Sequence, residues 1–292
     1  MCASAEPPRI AGATHVVGVM GWPVAHSLSP VIHNAAFAAL DLDWVYVPMP
    51  VAPGRVRAAV EGLSGLGFRG ANVTMPHKDE VAATVDTLDG DAALLRAVNT
   101  IVVEPDGSTT GHNTDTPGFG RFLVDDAGFD AAGRTALVLG GGGAARACAL
   151  AIARAGVSRI SVAARNPVQV EAMRQLVAPL GIEVDGVAFE RAGSAPADLV
   201  VNATPLGRDG ELPPHPPFAK GMLAVDLLYR PALTPFQRAA REAGADAFGG
   251  LGLLLQQAAL SFELWTGGPA PLEVMSAAAV AAAAEDEGIR QA

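Results

Sequence analysis

Residues 134–156, RTALVLGGGGAARACALAIARAG, constrain the fold more than any other stretch. An apolar run of strand length ends in four consecutive glycines and passes directly into an alanine-rich, helix-forming segment. Gly140, Gly142 and Ala145 give the pattern G-x-G-x-x-A. In a strand–turn–helix unit, the first glycine permits a tight turn and the second lets a pyrophosphate approach the main chain. The small third residue lets helix pack closely on strand. The first N–H groups of such a helix have no acceptors within it and favour an anion. A ligand-free glycine turn would read the same, so the context must decide.

The next apolar strand, RISVAAR (159–165), ends on Arg165, and no acidic residue follows until Glu171. A carboxylate at that place would bond a ribose 2′-hydroxyl and repel a 2′-phosphate, whereas a guanidinium pairs with the phosphate in bidentate fashion. The reading is NADP, with an exposed strand-end arginine as the plainer alternative. Arg146, at the start of the helix, suits either phosphate or solvent.

Strand-like runs alternate with helical patterns along most of the 292 residues. THVVGVMG (14–21), WVYVPMPV (44–51) and RGANVT (69–74) read as strands. Helices are expected from about Ser29 to Leu40, over APGRVRAAVEGLSGLG, and after Pro76. AVNTIVVE (97–104) and STTGHNTD (108–115) read as a hairpin about Pro105-Asp106-Gly107. A second unit begins near Thr116 with the amphipathic GFGRFLVDDAGF. ADLVVNATP (197–205) and MLAVDLLY (222–229) add strands to it, with TPFQRAAREAG helical before AFGG. LLLQQAALSFELWTG and an alanine-rich segment from Pro271 to Glu285 are expected to be helical. This alternation predicts parallel strands with crossover helices, and the length suits two domains.

Composition narrows the partners. Thirty acidic against twenty basic residues give a net charge of −10, which argues against nucleic acid or an anionic membrane surface. Half of the residues are hydrophobic, yet no run of about eighteen strongly apolar residues occurs, so no membrane span is expected. Cys2 and Cys148 cannot make a disulfide framework and fit a reducing cytoplasm. The start, MCASAEPPRIAGA, lacks the basic and apolar regions of a signal peptide and reads as a loose tail. The histidines lack metal-ligand spacing, so no metal is assigned.

Four polar clusters stand in the first unit: HSLSP (26–30), NVTMPHK (72–78), VNT (98–100) and HNTD (112–115). Each is expected at the C-terminal end of a strand or just after it, the edge where open α/β sheets bind ligands. Ser27, Ser29, Asn72, Thr74, Lys78, Asn99 and Asp115 together suit a small polyhydroxylated acid. Each alone has a structural reading as well: Ser29 before Pro30 as a helix N-cap, Asp115 as another cap, Asn99 as a turn residue. Lys78 is one of only two lysines, the other being Lys220, among twenty basic residues. An ammonium can give up its proton when desolvated; a guanidinium cannot.

GWPVAHSLSP, NVTMPHK, AVNTIV, GHNTDTPGF, GGGGAAR, NATPLG, VDLLYRPALTPF and GLLLQQAALSFELWTG follow one another in this order. Together they resemble the shikimate/quinate dehydrogenase family from about residue 16 to 268. The resemblance implies an N-terminal α/β substrate domain plus a Rossmann-like NADP-binding domain, with the active site in the cleft between them. The substrate domain is taken as 1–115, completed by the C-terminal helices 250–292, and the dinucleotide domain as 116–249. The activity implied is reduction of 3-dehydroshikimate to shikimate with NADPH, in the cytoplasm, by a monomer or homodimer. Carried over residue by residue, the resemblance makes Lys78 and Asp115 the catalytic pair. Ser27, Ser29, Thr74, Asn99, Tyr229 and Gln257 would hold the substrate. Gly140, Gly141, Gly142, Gly143, Ala144, Arg165, Thr204, Leu227 and Gly250 would lie along the cofactor.

Some positions depart from the family pattern. In ARNPVQ, Ala164, Asn166 and Gln169 stand where Asn, Thr and a second Arg are common. GGGGA replaces the common GAGGA, and Leu227 replaces a methionine. A single cation near the adenosine predicts a weaker preference for NADP. A quinate/shikimate or aminoshikimate dehydrogenase, with NAD as an alternative cofactor, stays open. So does a non-catalytic nucleotide-binding homologue, which would be expected to lack the Lys78–Asp115 pair.

Overall fold

The computed structural model describes residues 10–291. Most of the expected N-terminal tail, with Cys2, lies outside them. The chain divides into two compact units, with boundaries after Thr114 and after Gln257.

The first unit contains β1 (His15–Gly21), α1 (Ser29–Ala39), β2 (Trp44–Pro50), α2 (Val56–Gly65), β3 (Gly70–Val73) and α3 (Lys78–Ala82). It continues with β4 (Thr87–Leu88), α4 (Gly90–Leu95), β5 (Thr100–Val103) and β6 (Thr109–His112). The six strands lie in the order β2-β1-β3-β5-β6-β4. β1 pairs in parallel with β2 on one side and β3 on the other. The chain therefore crosses from one flank of β1 to the other, which leaves a switch point at the C-terminal ends of β1 and β3. β5 runs antiparallel to both β3 and β6. Its start and the end of β6 consequently share that same edge. Val56, Val60 and Leu63 of α2 are buried with Met20, Val73 and Ile101. Each such side chain contributes about 1.5–3 kcal/mol of transfer free energy.

The second unit opens with α5 (Asp115–Arg121), which passes into a π-helical turn at Phe122–Asp126. Then come β7 (Thr135–Leu139), α6 (Gly143–Arg154), β8 (Arg159–Ala163), α7 (Pro167–Val177) and β9 (Glu183–Val187). β10 (Leu199–Asn202), β11 (Leu223–Asp226), α8 (Pro235–Glu242) and β12 (Asp246–Phe248) complete its sheet. The strand order is β12-β11-β10-β7-β8-β9, parallel throughout. Read from β9, this is the 3-2-1-4-5-6 order of a doubly wound dinucleotide fold. β7 reads as an unbroken apolar run because both of its faces are covered. Ala136 and Val138 pack with Ile152 and Met173, and Leu137 and Leu139 with Val200 and Phe236. Thr234 and Gln237 form a reciprocal capping box at the start of α8. The boundary after Gln257 falls within α9 (Leu251–Thr266), which is followed by α10 (Leu272–Gln291). Among the described residues no helix is long and apolar enough to cross a membrane.

Three strands escape the sequence reading: β4, β9 and β12. All three are sheet edges, where one flank is unpaired and the apolar pattern thins out. In β9 only Val184 is buried.

Candidate active site

In the first unit, Ser27 lies in the turn after β1, Ser29 opens α1, Thr74 follows β3, and Lys78 opens α3. Main-chain bonds stitch these segments together beyond the strands. The Thr74 N–H donates to the Met20 carbonyl at 2.9 Å, and the Trp22 N–H to that of Met75 at 3.0 Å. The Val73 N–H reaches the Asn99 carbonyl at 2.7 Å, and the Val98 N–H that of Lys78 at 3.0 Å. Thr74, Lys78 and Asn99 are thus fixed on one edge by backbone alone. Two expectations need correction. Ser29 is not the N-cap, since Leu28 takes that position and the Ser29 N–H donates to Ser27 Oγ at 3.2 Å. Asn99 precedes β5 instead of following a strand, and reaches the ligand edge because β5 runs backwards.

His77, to which the sequence assigned no role, is buried with Nε2 2.7 Å from the Val51 carbonyl. A carbonyl only accepts, so Nε2 carries the proton, and the ring braces the turn that presents Lys78. Beneath the edge lies a buried polar network. Asn72 Nδ2 donates to Ser261 Oγ at 2.9 Å, Thr100 Oγ1 at 3.0 Å and the Asn99 carbonyl at 3.2 Å. Asn72 Oδ1 accepts from Tyr46 Oη at 2.8 Å. Asn99 Oδ1 accepts the Thr114 N–H at 2.8 Å, and its Nδ2 donates to Thr114 Oγ1 at 2.9 Å. Asn99 is therefore a braced group, only 2 % exposed. Sequence reading missed Tyr46, Thr100 and Ser261, because their partners are distant in the chain.

Asp115, Tyr229, Gln257 and the predicted cofactor residues belong to the second unit. Asp115 opens α5 and is buried. A Cβ on Gly118 would press on the Gln257 main chain, so glycine there brings α5 against α9. Tyr229 lies beyond β11; burial pushes its phenol up, while Arg230 and Arg208 pull the other way.

At the β7–β10 switch point, Gly140 has φ +112° and lies against Ala203 and Thr204. Gly142 is extended as the N-cap of α6, with open space where a Cβ would stand. Arg146 Nη2 lies beside Gly143. Gly250 is in close contact with the Leu227 main chain, which a Cβ would overlap. Gly140 and Thr204 are thus brought together, as are Leu227 and Gly250. Arg165 is exposed just past β8. The Gln169 side chain leans on Gly141 and fills the place a Cβ would take there.

One buried carboxylate anchors two of these loops. Asp226 accepts from Thr234 Oγ1 at 2.6 Å, Asn202 Nδ2 at 3.0 Å and the Leu228 N–H at 3.1 Å. Desolvation raises its pKa against the pull of those three donors. Asn202 Oδ1 in turn accepts from the N–H and Oγ1 of Thr204. A helix N-terminus, an open glycine turn and an exposed arginine at the next strand end fit a dinucleotide bearing a 2′-phosphate. Among the described residues no group of three or more His, Cys, Asp or Glu is placed to hold a metal.

Comparison with known proteins gives matches along most of the chain. Residues 19–101 match the shikimate dehydrogenase substrate binding domain, and residues 250–280 the shikimate 5'-dehydrogenase C-terminal domain. Shikimate dehydrogenase (NADP(+)) of Rubrobacter xylanophilus is 47% identical over 266 residues, spanning 89% of this chain and 93% of that protein. The crystal structure of shikimate 5-dehydrogenase from Thermus thermophilus, in complex with NADP(H) and shikimate, is 36% identical with a TM-score of 0.83. It covers 92% of this chain and 100% of that one. Quinate dehydrogenase from Corynebacterium glutamicum, in complex with NAD, is 30% identical with a TM-score of 0.82, covering 92% and 99%.

Proposed function

The chain belongs to the shikimate dehydrogenase family, and on that premise we propose that it catalyses the reversible, NADP-dependent reduction of 3-dehydroshikimate to shikimate, a step toward aromatic amino acids. The observation that carries this reading is the edge of the first sheet, where main-chain bonds fix Thr74, Lys78 and Asn99, with Ser27 and Ser29 on the turn and helix start that follow β1. When bound, the nicotinamide supplies or accepts the hydride. Lys78 handles the proton: it takes it from the alcohol as hydride leaves the same carbon, and returns it in the reductive direction. Its ammonium also stabilises negative charge building on the oxygen. Asp115 is assigned as its partner, favouring the charged form. Ser27, Ser29, Asn99, Tyr229 and Gln257 are assigned to holding the polyhydroxylated acid.

A second reading, tolerance of NAD, draws support from Gln169, which places a neutral amide against Gly141 of the glycine loop, where the family commonly has a second arginine. Initial rates with shikimate and with quinate, each with NADP+ and NAD+, test both readings. The shikimate–NADP+ pair is expected to be fastest, with measurable NAD+ turnover. Cofactor binding without shikimate oxidation would mean a nucleotide-binding homologue without this activity. We place the enzyme in the cytoplasm, as a monomer or homodimer that light scattering distinguishes. Its Cys148, buried and outside any disulfide, fits reducing conditions.

A further inference from the structure

β1 ends on a glycine that its backbone does not require. Gly21 is buried and its φ is not positive, so strand conformation alone would admit another residue there. Space does not. A Cβ on Gly21 would overlap the Cγ2 methyl of Thr74. It would meet the Met75 carbonyl at 3.4 Å and the Val24 Cβ at 3.7 Å, both ordinary contacts. The notch left by the missing side chain is thus filled by one group, the threonine methyl.

The main chain around the notch is bonded on every side. The Thr74 N–H donates to the Met20 carbonyl at 2.9 Å, and the Trp22 N–H to the Met75 carbonyl at 3.0 Å. The Gly21 carbonyl accepts the Val51 N–H at 3.1 Å, and the Thr74 carbonyl the His77 N–H at 3.1 Å. Crowding at this point therefore falls on the Thr74 side chain, whose χ1 is softer than a ladder held on both flanks.

Threonine carries its methyl and its hydroxyl on one Cβ, so seating the first aims the second. Thr74 is half-buried, and among the described residues no protein group bonds its hydroxyl. The hydroxyl is aimed and left for a ligand. Serine would offer the same group in three staggered directions.

Resting on the reaction proposed above, with Thr74 a substrate ligand in it, we infer that Gly21 is a positioning residue. It seats the Thr74 methyl and so orients the hydroxyl toward the polyhydroxylated acid. Gly21 touches no reacting atom. Its effect lies in binding the acid, not in hydride or proton transfer.

Gly21→Ala is expected to raise KM for shikimate about tenfold, the value of one lost hydrogen bond, with kcat and KM for NADP+ within about twofold of wild type. Thr74→Ser removes the methyl in the way and keeps the hydroxyl. Alone it should raise KM at most about threefold, three wells sharing what one held. Combined with Gly21→Ala, it should bring KM back to within about twofold of Thr74→Ser alone. A double variant as poor as Gly21→Ala would overturn the inference. If Gly21→Ala does not fold, folding restored by Thr74→Ser supports the seat, and a double variant that also fails counts against it. Thr74→Val keeps the methyl in the notch and removes only the hydroxyl. Unchanged KM in that variant would withdraw Thr74 from the substrate, and the inference with it. A raised KM there beside an unchanged one in Gly21→Ala would strike the role of Gly21 alone.

A second measurement is independent of turnover. Couplings from the Thr74 Cγ2 to its own amide nitrogen and carbonyl carbon report χ1. One rotamer is expected in the wild type, and a different or averaged one in Gly21→Ala. Couplings that Gly21→Ala leaves unmoved would mean that the main chain yields instead, and would overturn the inference.

Discussion

The two sheets build their ligand edges from different materials. In the second unit the edge is mainly backbone: a glycine at φ +112°, an extended glycine at a helix start, and N–H groups facing outward. Beneath it the strands pack with apolar residues, Leu139, Ala163 and Val200 among them, and one buried polar group, Asp226 with Asn202 and Thr234, ties its loops. In the first unit the edge is side chains, and beneath it runs the network of Tyr46, Asn72, Thr100, Thr114 and Ser261. A phosphate asks only for positive ends of dipoles, which the main chain supplies whatever residues flank it. Hydroxyl groups on a ring demand oriented donors and acceptors. Oriented side chains need partners of their own, since a buried polar group left unpaired costs about 1–3 kcal/mol. In the first unit the buried polar groups thus brace side chains, and in the second they brace loops.

The contrast breaks most sharply at Lys78. Lys78→Ala is expected to lower kcat by about 10²–10⁴-fold, with the NADP+ dissociation constant unchanged in a fluorescence titration. Lost cofactor affinity would show that the edges do not act independently.

His33 probes the bracing beneath the first edge. Burial lowers its pKa from 6.5 to about 3, and neither ring nitrogen finds a partner among the described residues. Below pH 6.5 the unfolded chain takes up a proton that the folded one refuses until about pH 3. Stability should therefore fall with pH through that window, by at most about 1.4 kcal/mol per pH unit from this residue. His33→Phe keeps an aromatic ring against Tyr46, on which the imidazole stacks, and is expected to remove that slope. Urea unfolding at a series of pH values checks it; identical slopes would rule the residue out as the source.

On the other edge, Arg165→Ala should raise KM for NADP+ about tenfold and leave NAD+ unaffected, the outcome expected of the proposed pairing of its guanidinium with the 2′-phosphate. Equal losses with both cofactors would move Arg165 to a general phosphate role. The smallest change is expected from Gln169→Arg, a gain of up to about fivefold in NADP+ over NAD+ preference, in keeping with an exposed charge. Side-by-side kcat/KM values for the two cofactors decide it.

Much of this was legible in the chain. β1, β7, β8, β10 and β11 are buried on both faces, and such strands print unbroken apolar runs. The glycine turn announces itself by composition, and Lys78 by rarity. The edge strands β9 and β12 do not, because residues such as Glu183, Asp185 and Asp246 face solvent. Ser29 looks like a cap locally, but Ser27 supplies the acceptor. The clasp of Asn34 on the N–H and carbonyl of Tyr46 was invisible, since Asn34 reads as one amide inside an apolar helix and its partner is twelve residues away. An amide at such a position is the one signal that would have invited the search.

The contact between Gly141 and Gln169 also sets a distance. A methyl at 141 and the glutamine side chain compete for the same volume. The nearest of its atoms is the Gln169 Cβ, which no change of rotamer moves and which any residue but glycine at 169 would share. Alanine at 141 therefore asks the start of α7 to give way as a body, so the spacing between the glycine loop and α7 is set by main chain against main chain, whichever side chain stands at 169.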